Sequence, residues 1–139
     1  MNAITMNAPA GKSPASPLAK DVELAEAWRE YQTSRILFSL PPIDDIEPGQ
    51  HQTPSERALE DRFTTAEETI ASATPTTLRG VEIQLWLYLA QIQDSEIIPL
   101  CAVREDIRYF ADAAELDFPG RLIVRALQGV LAVQEGGVA

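Results

Sequence analysis

The stretch from Thr74 to Gln93, TPTTLRGVEIQLWLYLAQIQ, decides the fold, because it predicts one apolar helix over residues 75–93. Thr74 is a residue type that caps helices, and Pro75 suits the first helical position, where a missing N–H costs nothing. Apolar residues recur in steps of three and four and also fill the neighbouring face. The two sets are Leu78, Val81, Leu85, Leu89 and Ile92, and Ile83, Trp86, Leu87 and Ala90. A helix that is apolar on most of its circumference must be covered on most sides, so we expect other helices to surround it.

A first helix is predicted from about Lys20 to the proline pair at 41 and 42. Proline disfavours helical geometry in the residue before it and lacks an N–H, so the pair ends the helix. One face carries apolar side chains for the core: Leu24, Ala27, Trp28, Tyr31 and Phe38. The preceding residues are rich in Ala, Pro, Ser and Asn, which predicts a disordered arm over residues 1–19.

The second helix has the most specific start in the chain. Thr53 and Glu56 have the spacing of a capping box, and Pro54 stands at the first helical position between them. An amphipathic pattern then continues to about residue 72, and a break at 73–75 leads into the central helix. Its core-facing residues are Leu59, Phe63, Ala66 and Ile70.

Two more helices are predicted after the central one. The fourth covers residues 99–115, and the fifth runs from about Pro119 to Glu135, followed by a tail at 136–139. Because Gly129 weakens a helix and the flanking runs have strand-like composition, a hairpin over 121–134 is the alternative for the last element. The fourth helix directs Val103, Ile107, Phe110 and Ala114 inward. The fold class is therefore all-α, a four- or five-helix bundle over residues 20–135, with a core that contains Trp28, Phe63, Leu85, Leu89, Ile107 and Phe110.

The net charge of −10 over 139 residues restricts the partners. Nucleic-acid phosphates and anionic lipids need clustered Lys and Arg, so we do not expect nucleic acid or a membrane surface as a ligand. No segment reaches the roughly 18 to 20 apolar residues of a membrane span. The single cysteine, Cys101, permits no internal disulfide, and we expect a soluble protein of the reducing cytoplasm.

The residue types that carry catalysis are not brought together in the sequence, so we expect neither an enzyme nor a bound cofactor or metal. The sole histidine, His51, lies in a polar loop, whereas a general base needs a positioned partner. Cys101 stands at an apolar helix start, which is typical of an inert core thiol. The Glu-x-x-His pairs of di-metal helical bundles are missing, and so are glycine-rich phosphate loops.

Acidic residues are concentrated in the first half of the chain. Residues 21–75 contain 12 acidic residues and four arginines, whereas residues 76–139 contain nine and five. Charge runs of this kind are usually solvated helix faces, but an acidic face also attracts a basic protein partner. The candidate partner-binding face consists of Glu23, Glu26, Glu30, Glu56, Glu60 and Glu67.

The alternative function is a helix-turn-helix DNA-binding regulator that uses residues 106–130. Its small and apolar positions are matched by four residues: Ala113, Leu116, Phe118 and Ile123. Four arginines would meet phosphates or guanine edges: Arg104, Arg108, Arg121 and Arg125. Asp117 occupies the usual glycine position of the turn, and acidic residues outnumber arginines in this segment, so protein interaction ranks above DNA binding.

Two segments combine helical spacing with particular polar positions: AWREYQ at 27–32 and DRFTTAEETIASATPTTLRGV at 61–81. Together with the closing apolar helix and its arginines, they resemble small uncharacterised all-helical proteins of alphaproteobacteria, often encoded among prophage or other mobile-element genes. The resemblance covers roughly residues 20–95. It implies a bacterial cytoplasmic accessory protein and supplies no activity or binding residues. We therefore expect a non-catalytic interaction or regulatory module with an unidentified protein partner.

Overall fold

The computed structural model describes residues 17–92, 97–110 and 116–136, with side chains from residue 21 onward. These residues form five α-helices and one 3₁₀ turn, and no β-strand occurs among them. The helices are α1 (Pro17–Phe38), α2 (Pro54–Ser72), α3 (Leu78–Ala90), α4 (Ile97–Val103) and α5 (Phe118–Glu135), with the 3₁₀ turn at Ile107–Phe110. The predicted all-α class is confirmed.

Helix α3 is the centre of the bundle, as predicted, because it contacts each of the other four helices. Its most buried side chains, however, include Ile83, Trp86, Leu87 and Ala90, which the sequence had placed on the neighbouring face, while Leu85 is only half-buried. Trp86 packs against Phe110 of the 3₁₀ turn, with ring centroids 6.2 Å apart. Both faces of this helix are apolar, so periodicity alone did not show which one meets the C-terminal elements.

Four of the six predicted core residues are fully buried: Trp28, Phe63, Leu89 and Phe110. Ile107, like Leu85, is only half-buried and packs on the edge of the core. The pair α1 and α2 is joined by aromatic rings, with Tyr31 stacked on Trp28 and Phe63 edge-on to Tyr31. One hydrophobic core therefore extends from the first two helices through α3 to α5.

The predicted start of the central helix is wrong by one helical turn. Its cap is Thr77 instead of Thr74, and the Thr77 hydroxyl accepts a hydrogen bond from the Gly80 N–H at 3.1 Å. The carboxylate of Asp21 in α1 accepts hydrogen bonds from the Thr76 N–H and from the hydroxyls of Thr76 and Thr77. These bonds hold the segment before Leu78 outside the helix. Thr74 and Thr77 are equally good caps by local rules. The contact with Asp21, which is distant in sequence, determines that the helix starts after Thr77.

Helix α2 begins as the sequence predicted. The Thr53 hydroxyl accepts from the Glu56 N–H at 3.1 Å, and the Glu56 carboxylate accepts from the Thr53 N–H at 2.9 Å. Both halves of the capping box are therefore present, and Pro54 stands at the start of the helix. The helix ends at Ser72, as expected.

Helix α5 is one continuous helix, so the hairpin alternative over 121–134 is wrong. Asp117 caps it, accepting from the Gly120 N–H at 2.8 Å, and the helix continues through Gly129 although glycine costs about 1 kcal/mol in a helix interior. At the other end of the chain, α1 begins at Pro17, three residues before the predicted helix start at Lys20. The arm residues 1–16 and tail residues 137–139 lie outside the described part.

The predicted fourth helix, 99–115, is also wrong, since α4 ends at Val103. The Asp106 N–H donates to the Cys101 carbonyl and the Glu105 N–H to the Ala102 carbonyl, a Schellman ending. Glu105 takes the left-handed conformation that glycine usually provides there, with φ of 55°. The apolar spacing at 107 and 110 continues as a 3₁₀ turn. The last part of the predicted helix, 111–115, lies outside the described residues.

Candidate interaction surface

The reason for the left-handed Glu105 lies in a polar cluster formed by Arg79, Glu82 and Glu105, which we call the Arg79 cluster. The Arg79 guanidinium donates two parallel hydrogen bonds to Glu105, at 2.9 and 2.8 Å. It also lies 2.9 Å from the Glu82 carboxylate, three residues further along α3. A bidentate guanidinium–carboxylate pair is strong and directional, so it fixes where the chain must turn after α4.

Both tryptophans of the chain donate to the same cluster. The Trp28 indole N–H donates to Glu105 at 2.7 Å, and the Trp86 indole N–H donates to Glu82 at 2.8 Å. Gln134 of α5 donates to the other Glu82 oxygen at 3.1 Å. The cluster therefore joins α1, α3, α5 and the turn after α4. Burial raises the pKa of Glu105, but the bonds from Arg79 and Trp28 outweigh it and leave this pKa below its ordinary value.

A second buried carboxylate, Asp21, fixes the contact between α1 and the start of α3. A Cβ at Gly80 would lie 2.6 Å from an Asp21 carboxylate oxygen, so only glycine permits this approach. Burial raises the pKa of Asp21, but hydrogen bonds from Thr77 and Thr76 together lower it below its ordinary value. Asp21 is therefore a charged acceptor that holds two elements together.

The six glutamates of the predicted acidic face have different surroundings. Glu23 and Glu26 are exposed on α1. Glu30 pairs with Arg62 of α2, with 2.6 Å between nitrogen and oxygen, and the hydrogen bond from this arginine lowers its pKa. Glu56 is engaged in the capping box. The remaining two are half-exposed: Glu60, and Glu67, which accepts from Gln91 at 3.4 Å. Glu23 and Glu26 thus offer the most accessible charge among the six.

The loop between α1 and α2, residues 39–53, is held in place at several points. Asp44 accepts from the backbone N–H and the hydroxyl of Ser55, at 2.8 and 2.6 Å. Within the loop, the Gln50 N–H donates to the Glu47 carbonyl at 3.0 Å, in a turn where Gly49 has a φ of 79°. Hydrogen bonds that the Asp44 carboxylate accepts from the hydroxyls of Ser55 and Thr53 lower the pKa of Asp44 to about 2.

Although it is anchored, this loop turns large apolar side chains toward solvent. Ile43 is 99% exposed and Ile46 is 56% exposed, and Leu40 before them is also exposed. With Leu37 at the end of α1, exposed apolar residues follow one another at three-residue intervals. The exposed carboxylates Asp45 and Glu47 stand between and beside the isoleucines. We call Leu37, Leu40, Ile43, Asp45, Ile46 and Glu47 the loop patch.

The four arginines of the DNA-binding alternative are all exposed. Arg121 donates to the Leu116 carbonyl at 2.8 Å, and Arg125 donates to Gln128 at 3.1 Å. Arg108 lies 3.6 Å from Asp106 and has a side chain that is 92% exposed. Because α4 ends at Val103, Arg104 follows that helix and is not part of a longer first helix leading to α5. The structure therefore distributes these arginines over two turns and one helix.

Within the described residues, no three His, Cys, Asp or Glu side chains lie close enough together to hold a metal ion. His51 is exposed in the loop between α1 and α2. Burial raises the pKa of the Cys101 thiol, so the reactive thiolate is disfavoured. None of the helices in the described ranges has the length and apolar character that a membrane crossing requires.

Comparisons of the chain with protein-family models, curated proteins and solved structures gave no match. Sequence reasoning missed the loop patch because its apolar residues continue at three-residue spacing beyond the prolines that end α1, where no helix places them on one face. It also missed the Arg79 cluster, although two charged residues on an otherwise apolar helix, Arg79 and Glu82, were the available sign of buried partners.

Proposed function

We propose that this protein is a non-catalytic interaction module that binds a basic protein partner through the loop patch. The observation that carries the proposal is Ile43, a large apolar side chain that is 99% exposed on an anchored loop. Single exposed apolar residues are ordinary, whereas several in one loop mark an interaction surface. The single cysteine, which permits no internal disulfide, favours the reducing cytoplasm as its location.

The anchoring of the loop supports recognition by a preformed surface. Pro41, Pro42 and the bonds from Ser55 to Asp44 limit the conformations of the loop before any partner binds. This loop therefore loses less conformational entropy on binding a partner than a flexible loop would. The surface that fits the patch is an apolar groove with Lys or Arg at its rim, since Asp45 and Glu47 accompany the isoleucines. Glu23 and Glu26 add long-range attraction to the same partner.

Affinity capture from the native host tests this function with matched variants of the full chain. The double replacement Ile43→Ser/Ile46→Ser removes the apolar part of the patch, and Val22→Ser, at another exposed apolar position, is the control. Burying one isoleucine is worth about 1.5 to 3 kcal/mol, so the double variant should retain its partner at least about tenfold less tightly. The control should bind as the wild type does.

Salt provides a second readout of the same complex. Raising the ionic strength from about 0.1 M to about 1 M shortens the Debye length from about 10 Å to about 3 Å and should weaken capture. Asp45→Asn/Glu47→Gln should reduce that salt dependence, because fewer charges face the basic rim. A captured protein that is insensitive to salt, to the Ile43/Ile46 change and to the Asp45/Glu47 change would contradict the proposal.

The DNA-binding alternative is tested with the same protein. Duplex DNA binding should show a steep salt slope and disappear in Arg121→Ala/Arg125→Ala. We expect no binding at physiological salt, since the chain has a net charge of −10 and phosphate contacts need clustered Lys and Arg. Sequence-selective binding that is lost in this double variant would replace the interaction function with a regulatory DNA-binding function.

A further inference from the structure

The side of α5 that faces away from its buried residues Val124 and Leu127 is apolar. Phe118 is 65% exposed, Leu122 54% and Val133 40%. Ala126 and Gly129 lie between them and are exposed as well. Steps of three and four place all five on one face of the helix. We call Phe118, Leu122, Ala126, Gly129 and Val133 the α5 stripe.

Within the described residues, nothing approaches Gly129 closely enough to require a glycine there. It lies inside a continuous helix, where glycine is destabilising relative to alanine. A Cβ built at this position would meet nothing within 4 Å, and its φ is not in the left-handed region. Gly80, in contrast, is required because Asp21 approaches it closely. The missing side chain at 129 would allow another backbone to approach this face of α5 closely.

We propose that the α5 stripe is a homodimer interface in which α5 of one copy packs antiparallel to α5 of a second copy. Four of its five residues, from Leu122 to Val133, are placed symmetrically about the middle of the stripe, with small residues at the centre and larger ones on either side. A two-fold axis between 127 and 128 places Ala126 opposite Gly129 of the second copy and Leu122 opposite Val133. Each contact then occurs twice, as a two-fold interface requires. The small central residues allow the two helices to approach closely.

The charge distribution favours a second copy as the occupant. The chain has a net charge of −10, yet residues 118–134 contain two arginines and no acidic residue. Two copies can therefore meet at α5 without bringing their acidic surfaces together. The antiparallel arrangement also brings Arg121 of one copy level with Glu135 of the other, on the same flank of the stripe. In this arrangement the dipoles of the two α5 helices point in opposite directions, so they attract each other.

Sedimentation equilibrium of the full chain over a wide concentration range tests the interface. We expect the average mass to rise reversibly from 15.2 kDa toward twice that value. Gly129→Leu should weaken association at least about tenfold, because a leucine holds the helices apart, while Ala58→Leu on exposed α2 should have no effect. Gly129→Ala should raise the melting temperature of the dilute monomer, since alanine favours helix, and yet weaken association. A wild type that stays monomeric throughout, or a dimer unaffected by Gly129→Leu, would overturn the proposal.

Disulfide trapping tests the antiparallel orientation. In a Cys101→Ala background, mixing Leu122→Cys protein with Val133→Cys protein should give a mixed disulfide dimer under mild oxidation. Neither protein alone should cross-link well, because 11 residues of helix separate the two positions by about 16 Å, beyond disulfide reach. Preferential 122–122 and 133–133 cross-links would overturn the antiparallel geometry. Ile43→Ser/Ile46→Ser should leave the dimer intact, so failure here is distinguishable from failure of the loop patch.

Discussion

Two groups of carboxylates in this protein carry the same charge and have opposite roles. Glu82, which is 4% exposed, and Glu105 accept hydrogen bonds from Arg79 and from both tryptophans. Glu23 and Glu26 stand on the outer side of α1 and are exposed. The interior group holds helices in place, while the exterior group faces solvent. The net charge of −10 therefore overstates the charge that is available for binding.

The largest expected effect comes from removing the cation shared by the interior group. Arg79→Ala leaves Glu82 and Glu105 without their counterion, and we expect the free energy of unfolding to fall by roughly 2 to 4 kcal/mol. Urea unfolding measures the change. Arg125→Ala, an exposed position, should change it by less than about 0.5 kcal/mol. Equal effects of the two replacements would remove the distinction between interior and exterior charges.

The next effect concerns the other interior carboxylate. Asp21→Asn replaces a charged acceptor by an amide whose NH₂ would meet the Thr77 hydroxyl, already engaged by Gly80 N–H. Hydrogen bonds to charged groups are worth about 1.5 to 3 kcal/mol, so we expect a loss of stability within that range. Glu23→Gln/Glu26→Gln is the exterior control in the same unfolding assay. A loss at Asp21 no greater than the control would show that α3 does not need this carboxylate.

The capping box of α2 should contribute less. Thr53→Ala removes the hydroxyl that accepts from the Glu56 N–H, and such caps are worth about 0.5 to 2 kcal/mol. Thr65→Ala, at an exposed position inside the same helix, should be close to neutral or slightly stabilising. Thermal unfolding of both variants measures the difference. A larger loss of stability in Thr65→Ala than in Thr53→Ala would mean that the capping box does not stabilise α2.

The smallest effect is a pH dependence from Asp44, the carboxylate that anchors the loop patch. Its pKa lies at about 2 instead of 3.8, so its contribution to stability is complete above pH 3.8 and is lost as the pH falls toward 2. The stability difference between wild type and Asp44→Asn, measured by urea unfolding at successive pH values, should shrink across this window. Asp45→Asn, at an exposed neighbouring position, is the control at each pH value. A difference at Asp44 that persists to pH 2 would contradict the assigned hydrogen bonds.

Helix boundaries that depend on residues close in sequence were predictable. Thr53 and Glu56 lie three residues apart, so the sequence predicted the capping box, and α2 follows it from Pro54 to Ser72. The start of α3 could not be predicted in this way, because Asp21 of α1 accepts hydrogen bonds from Thr76 and Thr77. Glu105 likewise terminates α4 in a conformation unusual for glutamate, stabilised by Arg79 and Trp28. Contacts between residues distant in sequence leave no periodic pattern.

The candidate surface was only partly predictable for a related reason. Glu23 and Glu26 were correctly placed on a polar helix face, since helical spacing separates them from Leu24 and Trp28. The engagement of Glu30 by Arg62 depends on how α1 and α2 pack, which spacing does not specify. The exposure of Ile43 and Ile46 depends on the hydrogen bonds that Asp44 makes with Ser55. A loop of this composition could equally have turned its isoleucines inward.

The central claim, that this loop meets a protein partner, is tested most directly by photo-crosslinking in the native host. A photoreactive amino acid replaces Ile43 in one version of the full chain and Thr33, exposed on α1, in a control. After irradiation, we expect one discrete protein adduct from position 43, abolished when Ile46→Ser/Glu47→Gln is added, and none from position 33. The same adducts from both positions, or none from position 43, would contradict the account.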